Sequence, residues 1–151
     1  MSLQEWKKNG WLKDHRSSSQ EIKGLFDIVN RDLLDAQTDA LSADWRFGIA
    51  YNAALKLCSI LLVAEGYRPD KNLAHYRTLQ AMPLILGQYK RADAEYLNVC
   101  RVKRNTVEYD CTGAATVQDA TELIQFAQHL RDEVQMWLAA KHPDLSIRNS
   151  T

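Results

Sequence analysis

The hydrophobic positions of the chain recur mostly with the spacing of an α-helix. After a serine cluster, apolar residues follow one another three or four positions apart, as on one face of a helix: Ile22, Leu25, Phe26, Val29, Leu33 and Leu34. The sequence shows no sustained alternation of apolar and polar residues, the pattern typical of strands. A short amphipathic helix is predicted first, followed by five longer ones, at residues 3–13, 19–41, 43–65, 72–87, 90–110 and 117–141.

Residues that begin or end helices lie at the joints of this pattern. Ser18, Ser42 and Thr116 each precede a predicted helix and are suited to the N-cap position. Gly66 is suited to end the third helix. Pro83 lies inside the predicted helix 72–87, which we expect it to kink or split, because its ring removes a backbone hydrogen bond.

The predicted helix 43–65 is apolar nearly all round, with Lys56 as the one charged residue between Ile49 and Ala64. Such a helix is expected at the centre, surrounded by the others. Residues 67–70 predict a turn, and short connections favour antiparallel neighbours. The sequence therefore predicts an all-α fold, an up-and-down helical bundle of four long helices plus shorter helices. We divide it into an N-terminal helical extension (1–16), the bundle (17–142) and a flexible tail (143–151).

Composition places the chain among ordinary globular proteins. It is 46% hydrophobic and 25% charged, which excludes a disordered chain, and its 19 basic and 19 acidic residues cancel. Bulk attraction to nucleic acid or an anionic membrane is therefore not indicated, although a local basic patch is compatible with these counts.

Cysteine usage and the start of the chain indicate a cytoplasmic protein with no membrane association. Cys58, Cys100 and Cys111 are odd in number and form no CxxC pair, which favours a reducing compartment and small core side chains. The first residues lack the apolar core of a signal peptide. No His-x3-His or Glu-x-x-His pair is found, so we expect neither a metal nor another cofactor.

The informative segment is the predicted helix 90–110. Helical spacing places Arg101, Arg104, Asn105 and Glu108 on one face, with Tyr109 at its margin. Guanidinium groups bind phosphate oxygens through paired hydrogen bonds, and an amide can bind a 2′-hydroxyl or a base edge. The alternative is a solvated helix face with intrahelical Arg–Glu pairs.

The other side of the same predicted helix carries apolar residues. We expect four of them to face the core: Tyr96, Val99, Cys100 and Val107.

Arg104 and Asn105, late in a helix of a small bundle, resemble the signature of HEPN domains (higher eukaryotes and prokaryotes nucleotide-binding). The turn at Gly66, followed by a helix with His75 and Thr78, is also similar to this family, and the resemblance covers residues 19–141. The family motif is an Arg, usually a polar residue next, and a His a few positions later. Here that His is missing, and Tyr109 stands at the shortest spacing.

The resemblance implies a homodimer whose cleft binds RNA or a nucleotide. Many HEPN domains are metal-independent RNases, and some are toxins paired with a nucleotidyltransferase-type antitoxin. By this resemblance, Arg104 would steady the scissile phosphate and Asn105 would position it. Arg101 and Glu108, which share their helix face by spacing, are expected to help to bind the substrate. Tyr109 would be the nearest group for proton transfer, but a phenol with an ordinary pKa of about 10 suits this role poorly at neutral pH. RNA or nucleotide binding with weak or absent RNase activity is the resulting prediction, in a toxin–antitoxin or defence setting.

Two other classes of function remain open from the sequence. Zero net charge and the missing His are compatible with a non-catalytic bundle that binds a protein partner. A small-ligand-sensing domain is the other alternative, with a pocket beside His75 and Arg77, although a structural or surface role is the more ordinary interpretation of His75.

Overall fold

The computed structural model describes residues 1–109 and 113–146. The described part is mostly helical, with one small two-stranded sheet. Its elements in chain order are α1 (Leu3–Lys8), β1 (Leu12–Asp14), α2 (Ser19–Ala36), α3 (Ala43–Ala64), β2 (Tyr67–Pro69), α4 (Ala74–Gln80), α5 (Met82–Leu86), a 3-10 turn (Gln88–Lys90), α6 (Arg91–Tyr109) and α7 (Val117–Lys141).

Helix α3 lies at the centre of the molecule, as its apolar sequence predicts. It packs against α2, α4, α5, α6 and α7, and most of its residues are buried. By length and composition alone this helix could cross a membrane, but most of its apolar stretch is covered by its neighbours. Its lack of a polar face is explained by this burial.

The predicted N-caps are confirmed. The hydroxyl groups of Ser18 and Ser42 accept hydrogen bonds from backbone N–H groups in the first turns of α2 and α3. At the start of α7, Thr116 and Asp119 form a reciprocal pair, in which each side chain accepts from the other residue's N–H. Pro83 lies in the first turn of α5, where its missing N–H costs little, so the predicted split between two helices is confirmed.

The first predicted helix is too long, and the predicted turn at residues 67–70 is a strand. Helix α1 ends at Lys8, and Gly10, with a φ of +79°, redirects the chain into β1. Strand β1 pairs antiparallel with β2, so that Leu12 lies opposite Pro69. Three-residue strands are too short for an alternating pattern to be recognised, which is why the all-α prediction misses this sheet.

Helix α2 is also shorter than predicted, since it ends at Ala36 and not near Leu41. The N–H groups of Gln37 and Thr38 bond to the carbonyls three residues earlier, which closes the helix in a tight turn. The side-chain amide of Gln37 donates to the Leu33 carbonyl and satisfies one of the last acceptors.

The N-terminal segment packs against the helices through a second small core. Trp6 and Leu12 from this segment meet Leu62 of α3 and Ala81, which lies between α4 and α5. This core brings residues near the start of the chain into contact with the elements that follow β2.

Candidate functional site

Helix α6 turns two arginines toward α3 and α4. Ala94 and Leu97 are fully buried on its inner side, and the same line continues, at helical spacing, with Arg101 and Arg104. Both arginines are half-buried. The helix face that the sequence predicts as a binding face therefore starts with two arginines on the inner side of α6. This position argues against the alternative that the whole face is solvated.

The prediction that Val99 faces the core is wrong. Val99 is 64% exposed, because α6 directs Leu97 toward the bundle and a residue two positions on lies about 200° further round the helix. Cys100 is buried, and Tyr96 and Val107 pack against the core, as expected.

Arg101 is bound by neutral groups. Its Nε donates to Oδ1 of Asn98 at 2.9 Å, and its guanidinium carbon lies 5.9 Å from the centre of the Tyr76 ring. Tyr76 belongs to α4, so this contact spans two helices. Within the described residues, no carboxylate forms an ion pair with Arg101.

Arg104 lies over a buried tyrosine of the central helix. Its guanidinium carbon is 5.5 Å from the centre of the Tyr51 ring. Burial raises the pKa of Tyr51 to about 12, although the positive charges of Arg101 and Arg104 act in the opposite direction. The phenol therefore keeps its proton near neutral pH. Among the described residues, none forms a hydrogen bond with this buried hydroxyl group.

His75, on α4, experiences the charges of the same arginines. Although the residue as a whole is exposed, desolvation of the imidazole lowers its pKa below the ordinary value, and the positive charges of Arg104, Lys56 and Arg101 lower it further. The imidazole is therefore mainly neutral near pH 7 and can both donate and accept a hydrogen bond. We refer to Lys56, His75, Arg101 and Arg104 as the cationic cluster; it draws on α3, α4 and α6.

The structure places only part of the site predicted from sequence. Arg101 and Arg104 belong to the cationic cluster, and Asn105 is exposed on α6 beside it. The side chains of Glu108 and Tyr109 lie outside the described residues, although their backbone belongs to α6. The candidate group for proton transfer is therefore not located.

Sequence reasoning missed three members of the site and undervalued a fourth. Tyr51 and Lys56 lie in the apolar stretch of α3, which the sequence predicts to be core. The charge of Lys56 is the one feature of this stretch that could have pointed to the site. Tyr76 and His75 reach the arginines because α4 packs against both α3 and α6. Nothing in helical spacing relates a residue of α4 to one of α6, so this part of the site required the structure.

The buried thiols are poor nucleophiles. Burial raises the pKa of Cys58 to about 12 and that of Cys100 to about 11, so both remain protonated near neutral pH. Their predicted core positions are confirmed, whereas Cys111 lies outside the described residues. In the part of the chain that the structure describes, no group of three or more His, Cys, Asp or Glu residues could hold a metal ion.

The cationic cluster is suited to an anion that lies beside an aromatic ring. Two guanidinium groups and an ammonium group can meet phosphate oxygens, and Tyr76 offers a half-buried ring for stacking. His75, which is exposed, adds a neutral hydrogen-bonding group.

Comparison with known proteins gives no family for this chain: no family model matches it, and neither does any curated protein or any solved structure. The resemblance to HEPN domains therefore stays a prediction from the sequence.

Proposed function

We propose that this protein binds a phosphate group of RNA or of a nucleotide at the cationic cluster, as a divergent HEPN-like domain. The observation that carries the proposal is the change along the inner side of α6, from Ala94 and Leu97 to Arg101 and Arg104. Cations held in half-buried positions lose hydration, so an anionic ligand that replaces their water is favoured.

The chemistry around the two arginines favours RNA over a simple inorganic anion. Single-stranded RNA is recognised largely by stacking of bases on aromatic rings, together with contacts to phosphate and the 2′-hydroxyl. Tyr76 beside Arg101 supplies such a ring, and the exposed Asn105 supplies an amide. A neutral His75 can bind a hydroxyl group without adding charge.

The proposal includes a homodimer of up-and-down bundles built on α2, α3, α6 and α7. Val99 and Val102 are exposed on the outer side of α6. A two-fold axis at this point would bury the valines of both copies. We further propose that the protein pairs with an antitoxin of the nucleotidyltransferase type and that it acts in defence in the cytoplasm.

Binding of a fluorescent single-stranded RNA tests the central claim. We expect Arg101→Ala and Arg104→Ala each to weaken binding about tenfold, the loss of one charge-assisted contact. The slope of log affinity against log salt should also fall by about 0.7 for each phosphate contact removed. Arg91→Ala is the matched control, because Arg91 is an exposed arginine at the other end of α6.

Cleavage is measured in the same samples with EDTA present. Cleavage that survives EDTA and is lost in Arg104→Ala would establish a metal-independent RNase; binding alone would establish a binding protein. If wild type and Arg91→Ala bind RNA no better than Arg104→Ala does, the proposal is wrong. The exposed valines of α6 would then favour a bundle that binds a protein partner.

A further inference from the structure

Arg77 of α4 is clamped by two tryptophans from the N-terminal segment. Its guanidinium carbon lies 3.6 Å from the centre of the Trp11 ring and 5.9 Å from that of Trp6. The two indoles pack edge to face, with ring centres 5.8 Å apart. Within the described residues, Nη1 of Arg77 is buried without a hydrogen-bond partner, so its contact with the rings is the main compensation for its burial.

The segment that carries these tryptophans is tied to the chain immediately before α4. Strand β1 pairs with β2, and the N–H of Asp70 donates to the Trp11 carbonyl at 2.9 Å. The Nζ atom of Lys13 lies 3.5 Å from Oδ1 of Asp70. Trp11 is thus held by the backbone on one side and by Arg77 on the other.

Helix α4 has little local support of its own. It has seven residues, no side-chain N-cap bond, and a left-handed residue, Leu73, immediately before it. A helix this short is unstable without tertiary contacts. Its position must come from packing, and the contact of Arg77 with Trp11 links it to the N-terminal segment.

The same helix carries two residues of the candidate site. His75 and Tyr76 directly precede Arg77 and lie near the arginines of α6. Any shift of α4 that follows loss of the clamp would move both of them relative to Arg101 and Arg104.

We propose that Trp11 and Arg77 are positioning residues, which hold α4 so that His75 and Tyr76 meet the arginines of α6. The inference rests on the proposed function for its consequence in RNA binding. The placement of His75 among the cations can be tested without any RNA.

The test follows the His75 imidazole by NMR during a pH titration of the full chain, and measures RNA affinity in parallel. In Trp11→Ala and in Arg77→Met, we expect the pKa of His75 to rise toward its ordinary value of about 6.5. RNA binding should weaken about tenfold, as for one misplaced contact. Trp11→Phe keeps an aromatic ring, so the His75 pKa and the RNA affinity should both stay close to those of the wild type. Trp45→Ala removes a tryptophan that is 65% exposed at the start of α3, and should change neither.

Each outcome decides between positioning and general support of the fold. If His75 keeps its lowered pKa in both variants while they remain folded by circular dichroism, the inference is overturned, even if the melting temperature falls. If Trp11→Ala fails to fold, the His75 titration in Arg77→Met, which retains most of the side chain's length, decides between the two. If wild type does not bind RNA, the proposed function fails, and the His75 titration still decides the role of the clamp.

Discussion

At the scale of single residues, the molecule holds cations that are at least half-buried in two different ways. Lys90, with a side chain only 8% exposed, is paired with the carboxylates of Asp93 and Glu133. Arg101 instead bonds to the amide of Asn98 and lies near the ring of Tyr76. A cation paired with carboxylates is already neutralised, whereas one held by an amide and a ring keeps its charge for a ligand.

Lys90 should therefore matter for stability alone. Lys90→Met leaves Asp93 and Glu133 without their shared partner, and we expect the free energy of unfolding to fall by about 1–2 kcal/mol, since both carboxylates are partly solvated. Urea denaturation measures this. Lys23→Met removes an exposed lysine paired with Asp27 and should cost less than about 0.5 kcal/mol. Equal effects of the two substitutions would contradict the structural role of Lys90.

His75 should make the fold sensitive to mild acid. Its pKa in the folded state is lowered from 6.5 by desolvation of the imidazole and by the positive charges of Arg104, Lys56 and Arg101. As the pH falls below about 6.5, the unfolded chain binds a proton at His75 while the folded protein does not, so the free energy of unfolding decreases. The decrease ends once the pH has fallen below the lower pKa of the folded state. Urea denaturation at about pH 7.5 and about pH 5.5 should show a smaller loss in His75→Asn than in wild type. The other histidines are the same in both proteins, so an equal loss would show that His75 is not held among the cations.

At the scale of elements, α4 is the least regular helix near the site. It begins after Leu73, whose φ of 56° lies in the left-handed region. A leucine there is strained, and its side chain is 61% exposed, so packing returns little. The strained residue lies in the connection between β2 and the helix that carries His75 and Tyr76.

Relief of this strain should stabilise the protein. Because Asn tolerates the left-handed region, Leu73→Asn is expected to raise the free energy of unfolding by about 0.5–1 kcal/mol. Leu34→Asn is the matched control, since Leu34 is 71% exposed in the regular helix α2. There Asn should lower stability by about 0.5 kcal/mol, owing to its poorer helix propensity. A loss at both positions in thermal or urea unfolding would mean that the backbone at Leu73 is not strained.

Helical periodicity and caps in the sequence were sufficient to predict the long helices, because both are local properties. The pair Arg101 and Arg104 was found for the same reason. Two features were not predicted from the sequence. One is the pairing of β1 with β2, whose strands are too short to show alternation, and the other is the proximity of His75 to the arginines. Both depend on how distant segments pack, and Val99 shows that a count of apolar positions can also misplace the inner side of a helix.

At the scale of the whole molecule, the outer side of α6 carries a pair of exposed valines. Val102 is 52% exposed and Val99 is 64% exposed, one helical turn apart, on the side away from the bundle. Isolated exposed apolar residues are ordinary, but a pair on the helix that bears the candidate site favours a partner surface.

We expect wild type to be a dimer at micromolar concentration, with twice the 17.3 kDa mass of the chain by light scattering. Val102→Glu should give a folded monomer, because the two-fold axis would bring like charges together. Val117→Glu changes a similarly exposed valine at the start of α7 and should remain dimeric. A wild-type monomer would count against an interface through α6.

The pairing of β1 with β2 has a consequence for the order in which the molecule assembles. The two strands are separated along the chain by the whole of α2 and α3. Loop closure over so long a segment is entropically costly until the intervening helices have docked and brought its ends together. During synthesis, β1 emerges before β2 and cannot pair until β2 has been made, so β1 should be among the last segments to become protected from amide hydrogen exchange.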